Sequence, residues 1–326
     1  MRTIRILVLY NKSSRNQTAS LTYNWPDQLK RHPRFRCTLV NIDDHNRVRS
    51  AYSKFRLHLG GFDAIVMLHS VFSNSNFLRG WLKLFVEKTD IPKVFFIGNE
   101  YKLMPEKMAF CEEIGVSLLV SQSESPAIHA LYRERLGCSV EGIPNCGIDI
   151  RSYFASTAYL DRPIDLGYRA DISPFYCGHD ERRQIADYFS LHGPQLGLTV
   201  DISMLRVDRF NQTGWPAFLN RCKGQLGTEA GGDYFELTDN TRLKVNQYVD
   251  TNPNTTIDEV FELFFAKYSD PTPLRIITGR NVEAAGTKTV QVLFEGHYNG
   301  YFQPDIHYIP LKKDFSNIDD TMAKFR

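Results

Sequence analysis

Asp63-Ala64-Ile65-Val66-Met67-Leu68 is an apolar run of strand length, and a second such run, Lys93-Val94-Phe95-Phe96-Ile97-Gly98, follows it. The stretch between them, Asn76–Glu87, places Phe77, Trp81, Leu84 and Phe85 on one helical face. A strand that is apolar at almost every position is buried on both sides, as in a parallel sheet with helices over each face. The alternation extends outward in both directions. Ile4–Tyr10 and Cys37–Ile42 read as strands before this unit, and Ser117–Ser121 and Ser139–Ile143 as strands after it. Between the last two lies a helical pattern, Glu124–Leu136, with Ile128, Leu131 and Leu136 apolar. The expected fold class is α/β with a doubly wound sheet, which takes ligands at the carboxyl ends of its strands.

Ser152–Pro163 interrupts the pattern and ends in Asp161-Arg162-Pro163, so the boundary between two domains is expected there, with domains 1–155 and 156–326. A second alternation follows. It runs through strand Ile164–Arg169, helix Asp180–Leu191, strand Leu198–Ser203, helix Gly214–Cys222 and strand Gly224–Glu229. Helices at Thr256–Lys267 and Gly279–Gly286, strands at Thr289–Phe294 and Ile306–Pro310, and a helix from Asn317 complete it. Thr256-Ile257-Asp258-Glu259 is a capping box opening its helix. Ala230–Asn254 shows no pattern and reads as a long polar loop, of the kind that usually carries function. The architecture expected is two tandem doubly wound Rossmann-like domains facing each other across a cleft.

With 42% hydrophobic and 23% charged residues among 326, the chain is neither disordered nor fibrous. No run approaches the ~18–20 apolar residues that cross a bilayer, and the amino terminus reads as a first strand rather than a signal peptide. Six cysteines without a Cys-x-x-Cys exclude a zinc ribbon and a thioredoxin motif, and a reduced, cytoplasmic setting is expected. The net charge of +2 divides unevenly. Residues 1–155 hold 21 Lys and Arg against 14 Asp and Glu, leaving the second half acidic. No nucleic-acid motif accompanies the basic half. Part of that charge, Arg47, Arg49, Lys54 and Arg56, flanks an apolar stripe of Val48, Tyr52, Phe55 and Leu59. Such a helix either covers the sheet or lies peripherally on an anionic membrane.

Thr278-Gly279-Arg280-Asn281-Val282-Glu283-Ala284-Ala285-Gly286 resembles the Arg-x-x-Glu-Ala helix of group 1, retaining-type GT-B glycosyltransferases. The resemblance implies that Glu283 accepts hydrogen bonds from a nucleotide ribose and that Arg280 lies beside the diphosphate, at a helix N-terminus. The plain alternative is an Arg280–Glu283 surface ion pair. The family pattern has an acid where this chain has Arg275. Gly227-Thr228-Glu229-Ala230-Gly231-Gly232-Asp233 is similar to a Leu-Gly-x-Glu-x-Gly segment of a branch related to spore-coat and polysaccharide-locus glycosyltransferases. By that resemblance Glu229 is catalytic, bonding the donor sugar, and Gly231 and Gly232 admit the donor to the backbone; otherwise the segment is a turn.

Further runs carry the same resemblance. They are Phe294-Glu295-Gly296-His297-Tyr298-Asn299-Gly300-Tyr301, the stretch from Pro304 to Asn317, Asp201-Ile202-Ser203 and Trp215-x-x-Phe218-Leu219. Related enzymes clamp the donor diphosphate with basic residues on the loop after the first strand of this domain. That implies Arg169, Arg182 and Arg183 here, although arginines beside Asp180 and Glu181 also suit a solvated helix. In the first domain, Phe62–Ser70 resembles a strand end whose His faces the acceptor, which implies a catalytic role for His69; a structural histidine is the alternative. Asn99 and Glu100 end a later strand on the same edge and are candidate acceptor contacts.

No Asp-x-Asp, Gly-x-Gly-x-x-Gly, P-loop or Gly-x-Ser-x-Gly occurs. The expectation is a metal-independent glycosyltransferase, with retention favoured, that uses a nucleotide-sugar and a glycan, lipid-linked or protein acceptor. It needs no cofactor and no nucleic acid. Two alternatives stay open: a nucleotide-sugar epimerase of the same architecture, and a catalytically inactive sugar-binding or partner subunit. The last helix pattern stops at Arg326, which suggests a chain truncated at its C-terminus.

Overall fold

The computed structural model describes residues 2–12, 20–42, 61–72, 77–144, 146–266 and 272–326. The basic stripe between Arg47 and Leu59 lies outside the described residues. The chain forms two compact α/β units, divided between Asn145 and Cys146, nearer the N-terminus than the expected boundary. Residues just after the division belong to the second unit because Tyr153 is buried there against Leu219 and Ala284.

The first unit is a six-stranded parallel sheet in the order β2-β1-β3-β4-β5-β6. Its strands are β1 (Ile4–Tyr10), β2 (Phe35–Asn41), β3 (Ala64–Met67), β4 (Lys93–Phe96), β5 (Leu118–Ser121) and β6 (Ser139–Gly142). Between them run helices α1 (Ser20–Arg31), α2 (Gly80–Lys88), α3 (Met104–Ile114) and α4 (Pro126–Leu136). Ile6, Leu7, Val8 and Leu9 are all buried, so both faces of the central strand are covered, as the unbroken apolar run requires. Ile6 and Val8 pack with Val66 and Leu68 against Trp25 and Leu29 of α1.

The second unit is a five-stranded parallel sheet, β13-β12-β9-β7-β8. It is built from β7 (Ile164–Arg169), β8 (Val200–Ser203), β9 (Cys222–Gly227), β12 (Val290–Phe294) and β13 (Ile309–Leu311). Helices α5 (Glu181–His192) and α10 (Ile318–Phe325) cover one face, where Ile185, Phe189, Met322 and Phe325 join Leu166, Leu226 and Val292. Helix α6 (Gly214–Leu219) covers the other, with Phe218 against Ile164 and Cys222. Gly167 is required for that contact: a Cβ there would lie 2.4 Å from Cys222 Sγ.

The expected long loop after β9 is corrected. Ala230–Gly232 is a short strand, β10, and Asn240–Thr251 a helix, α7. Helix α8 (Ile257–Phe264) follows, with the expected Thr256–Glu259 capping box in place, and β11 (Leu274–Ile276) then pairs antiparallel with β10. Helix α9 (Gly279–Gly286) leads into β12. In both units the strand order reverses beside the first strand, between β1 and β3 and between β7 and β9. In open α/β sheets these are the positions of ligand crevices. No helix among the described residues is long and apolar enough to cross a membrane.

Candidate functional site

The carboxyl ends of β7, β9, β12 and β13 bring the second unit's polar motifs together. Buried Glu181, in the first turn of α5, receives Arg275 from β11 in a bidentate pair at 3.0 Å for each bond. The same guanidinium donates to Asp233 Oδ1 at 2.6 Å through Nε, and Lys313 Nζ lies 2.7 Å from Glu181 Oε1. Burial opposes ionisation of Glu181, but Arg275, His179 and Lys313 outweigh it and hold the carboxyl below its ordinary value. Burial likewise opposes the charge of Arg275, and Glu181 and Asp233 reverse that. The position where the family pattern has an acid is thus filled by a cation with two carboxylate partners.

His179 closes this network. Its Nε2 is 3.1 Å from the Gly231 carbonyl, its Nδ1 is buried without a partner, and burial with Arg275 nearby lowers its pKa to about 4. A neutral ring bonded through Nε2 carries its proton there and leaves Nδ1 as an acceptor.

Glu229 follows β9 and is buried. Its Oε1 accepts the Tyr298 N–H at 2.6 Å, and the His297 N–H also points to the carboxylate. Burial raises its pKa; those N–H groups and Arg275 oppose the rise. What Glu229 holds is a left-handed turn, in which Tyr298, Asn299 and Gly300 have φ of 46°, 54° and 75°. Such backbone is costly for non-glycine residues and needs support. Tyr298 Oη supplies more by donating to the Phe294 carbonyl at 2.7 Å, as does Asn299 Oδ1 by accepting the Ile277 N–H at 2.7 Å. Gly296 is glycine because a Cβ there would stand 2.6 Å from Glu229 Oε2.

Two arginines beside the β7–β9 crevice differ from all of these. Arg182, from the first turn of α5, has a buried Nε without a partner. Arg280, from the first turn of α9, has its charge disfavoured by burial and then by Arg182, with Arg209 adding to the effect. Tyr168 and Glu283 offset this only in part. Neither Arg182 nor Arg280 forms an ion pair among the described residues. The alternative of an Arg280–Glu283 surface pair is therefore not realised. Glu283 is 5% exposed and instead accepts a hydrogen bond from Trp215 Nε1 at 2.7 Å. Like charges gathered at two helix N-termini form a site for an anion.

The other expected donor contacts sit differently. Arg169 donates to Asp201 Oδ1 at 2.6 Å, to the carbonyls of Tyr168, Asp201 and Asp208, and stacks on Phe210 and Phe218. It pins the ends of β7 and β8 together. Arg183 Nε lies 2.7 Å from Asp180 Oδ2, in an ion pair within α5. Gly231 has φ 94°, and a Cβ would come within 1.7 Å of the Leu274 carbonyl oxygen; Gly232 packs against the Cys177 backbone. Both glycines serve chain packing between β10 and its neighbours.

In the first unit, Glu100 is turned inward at 1% exposure. It accepts from Ser121 Oγ and Tyr132 Oη at 2.7 Å each and from the Gln122 N–H at 2.6 Å. Asn99 is exposed, accepts from Tyr101 Oη through its side chain, and gives its carbonyl to Lys107 Nζ. His69 follows β3; its Nδ1 is buried and unpartnered, and burial lowers its pKa to about 4. Sequence reading missed His179, Arg275 as an ion-pair partner, and the Trp215–Glu283 bond. Trp215 carried a signal within the Trp-x-x-Phe-Leu run, and Arg275 as the departure from the acid of the family pattern.

No protein-family model matches the chain, and comparison with curated proteins finds no match. The fold defines a protein of two Rossmann-like α/β units.

Proposed function

We propose that the protein is a glycosyltransferase of the GT-B type, which moves a sugar from a nucleotide-sugar to a glycan, lipid-linked or protein acceptor without a metal. The observation that carries the reading is the pair Arg182 and Arg280, cationic, half-buried and without an ion pair among the described residues, at two helix N-termini beside the β7–β9 crevice. A diphosphate supplies the missing negative charge, and guanidinium forks match its oxygens. Glu283, oriented by Trp215, is the acceptor for ribose hydroxyls.

In transfer, the bond from the anomeric carbon to the diphosphate oxygen breaks while an acceptor hydroxyl oxygen bonds to that carbon and its proton passes to the departing diphosphate. Charge grows on the leaving diphosphate, and Arg182, Arg280 and the two helix dipoles stabilise it there. Glu229 acts by fixing the Tyr298–Gly300 turn at the carboxyl end of β12. Retention at the anomeric carbon is the favoured outcome.

The test is a thermal-shift panel of nucleoside diphosphates in EDTA. Stabilisation by at least one is expected, about 2.7 kcal/mol at a hundred times its dissociation constant. Binding that appears only with Mg²⁺ or Mn²⁺, or no binding at all, removes the reading.

A further inference from the structure

The second unit holds a cavity at the amino end of its sheet, opposite the crevice. It is about 710 Å³ in volume and is lined by the residues that open β12 and β13 and by the last turn of α9. Its origin lies in the strand register. β12 pairs with β9 from Val290 onward, but with β13 only from Val292, which faces Ile309. The residues before Ile309 turn away into a loop closed on itself. There the Asp305 N–H donates to the Tyr308 carbonyl and the His307 N–H to the Gln303 carbonyl, each at 2.9 Å. A wedge is left between that loop and the start of β12, with Val290, Ile306 and Ile309 as its apolar wall. Cavities of this size hold small organic molecules.

Three side chains around the wedge have unpaired polar groups, and all three are donors. Asn281 Oδ1 accepts from the Thr278 N–H at 3.0 Å and from Thr278 Oγ1 at 2.7 Å, so its amide nitrogen is the atom that donates to Gln291 Oε1 at 3.3 Å. That fixes the Gln291 carboxamide. Gln291 is 4% exposed, and its Nε2 has no partner, yet solvent reaches it. His307 Nδ1 accepts the Gln303 N–H at 3.0 Å, which puts the imidazole proton on Nε2. Lys288 is exposed and pairs with no carboxylate among the described residues. It has φ of 52° just past the C-cap of α9, where glycine is the usual residue. Lys324, also on the cavity, is already bonded to Asp305 and Asp320 at 2.8 and 2.9 Å.

We propose that this cavity binds a monocarboxylate with an apolar chain or ring, its carboxylate held by Gln291, His307 and Lys288. Three donors and one uncompensated cation match two acceptor oxygens that share a single negative charge. A phosphate brings a second charge to a place that has Asp305 and the negative end of the α9 dipole beside it. A metal cation needs acceptors, which this set lacks. The site shares no residue with the crevice of Arg182 and Arg280 and does not depend on nucleotide binding there.

The experiment is saturation-transfer NMR on the full chain without nucleotide. The probes are benzoate, phenylacetate and hexanoate, with benzyl alcohol as the neutral control and phenyl phosphate as the dianionic one. Transfer to at least one carboxylate is expected, and affinity for it about fivefold or more above that for either control. Lys288→Gly should lower that affinity by about fivefold or more while melting no lower than wild type, because glycine suits the left-handed backbone there. Gln291→Glu keeps the acceptor for Asn281 and sets a like charge against the ligand, so binding should disappear. Excess inorganic pyrophosphate, which competes for the crevice, should displace nothing. The proposal is overturned if no carboxylate binds, if the controls bind equally well, if Lys288→Gly binds as wild type does, or if pyrophosphate displaces the carboxylate.

Discussion

Trp215 Nε1 donates to Glu283 Oε2 at 2.7 Å, joining the first turn of α6 to the middle of α9. The indole is held in turn by Phe218, stacked at 5.6 Å between centroids. A carboxylate fixed in this way presents a defined edge, which is what recognition of a diol needs. Glu283→Ala should weaken nucleoside diphosphate binding by ~1.5–3 kcal/mol, and Trp215→Phe by about 1 kcal/mol. Calorimetry with the 2′,3′-dideoxy analogue checks the assignment: wild type should discriminate against it, and Glu283→Ala should not.

Arg182→Ala and Arg280→Ala should each lower nucleoside diphosphate affinity tenfold or more, as expected for loss of a charge-assisted contact of ~1.5–3 kcal/mol. Removing either also relieves repulsion on the other, so neither variant should melt below wild type in the absence of ligand. Titrations paired with melting curves measure both effects. A variant that melts lower and binds normally assigns these arginines to packing instead.

Stability should decline between pH 6.5 and about 4. His179 and His69 both have folded pKa values of about 4 against a reference of 6.5. Below pH 6.5 the unfolded chain takes up a proton at each, while the folded chain does so only near pH 4. Stability present above pH 6.5 is therefore lost progressively as pH falls through that window. Glu181, with its lowered pKa, adds a loss below its ordinary value of 4.5. Melting temperatures of wild type and His179→Gln from pH 7.5 to 4.5 should show the smaller decline in the variant.

Gly231→Ala should destabilise the second unit by about 2–4 kcal/mol, combining a left-handed φ with a clash against the Leu274 carbonyl oxygen. Denaturant unfolding is the measurement. Gly137→Ala, also at positive φ but with open space around it, is the control and should cost less.

Strands were legible where burial on both faces left an unbroken apolar run: Ile4–Tyr10 and Ile164–Arg169 coincide with the expected spans. Helix Gly279–Gly286 was legible from its small residues and its start. The excursion after β9 was not. Ala230-Gly231-Gly232 has no side chains that betray a strand, and α7 buries only Val245, so neither a period of two nor of 3.6 appears. At the site, single residues were legible but their partners were not. Arg275 and Glu181 are 94 positions apart, and Trp215 and Glu283 are 68 apart. Glu100 read as a candidate acceptor contact because it follows a strand; its burial depends on Ser121 and Tyr132, which local sequence does not connect to it.

The short β10–β11 ladder has a consequence for how this protein can be altered. Gly232 and Leu274 face each other in register at the root of everything from Asp233 onward to that point. The two helices therefore form an appendage that leaves and rejoins the body at neighbouring positions. A foreign segment grafted between the two helices would leave the ladder and the Arg275–Asp233 contact at its root in place.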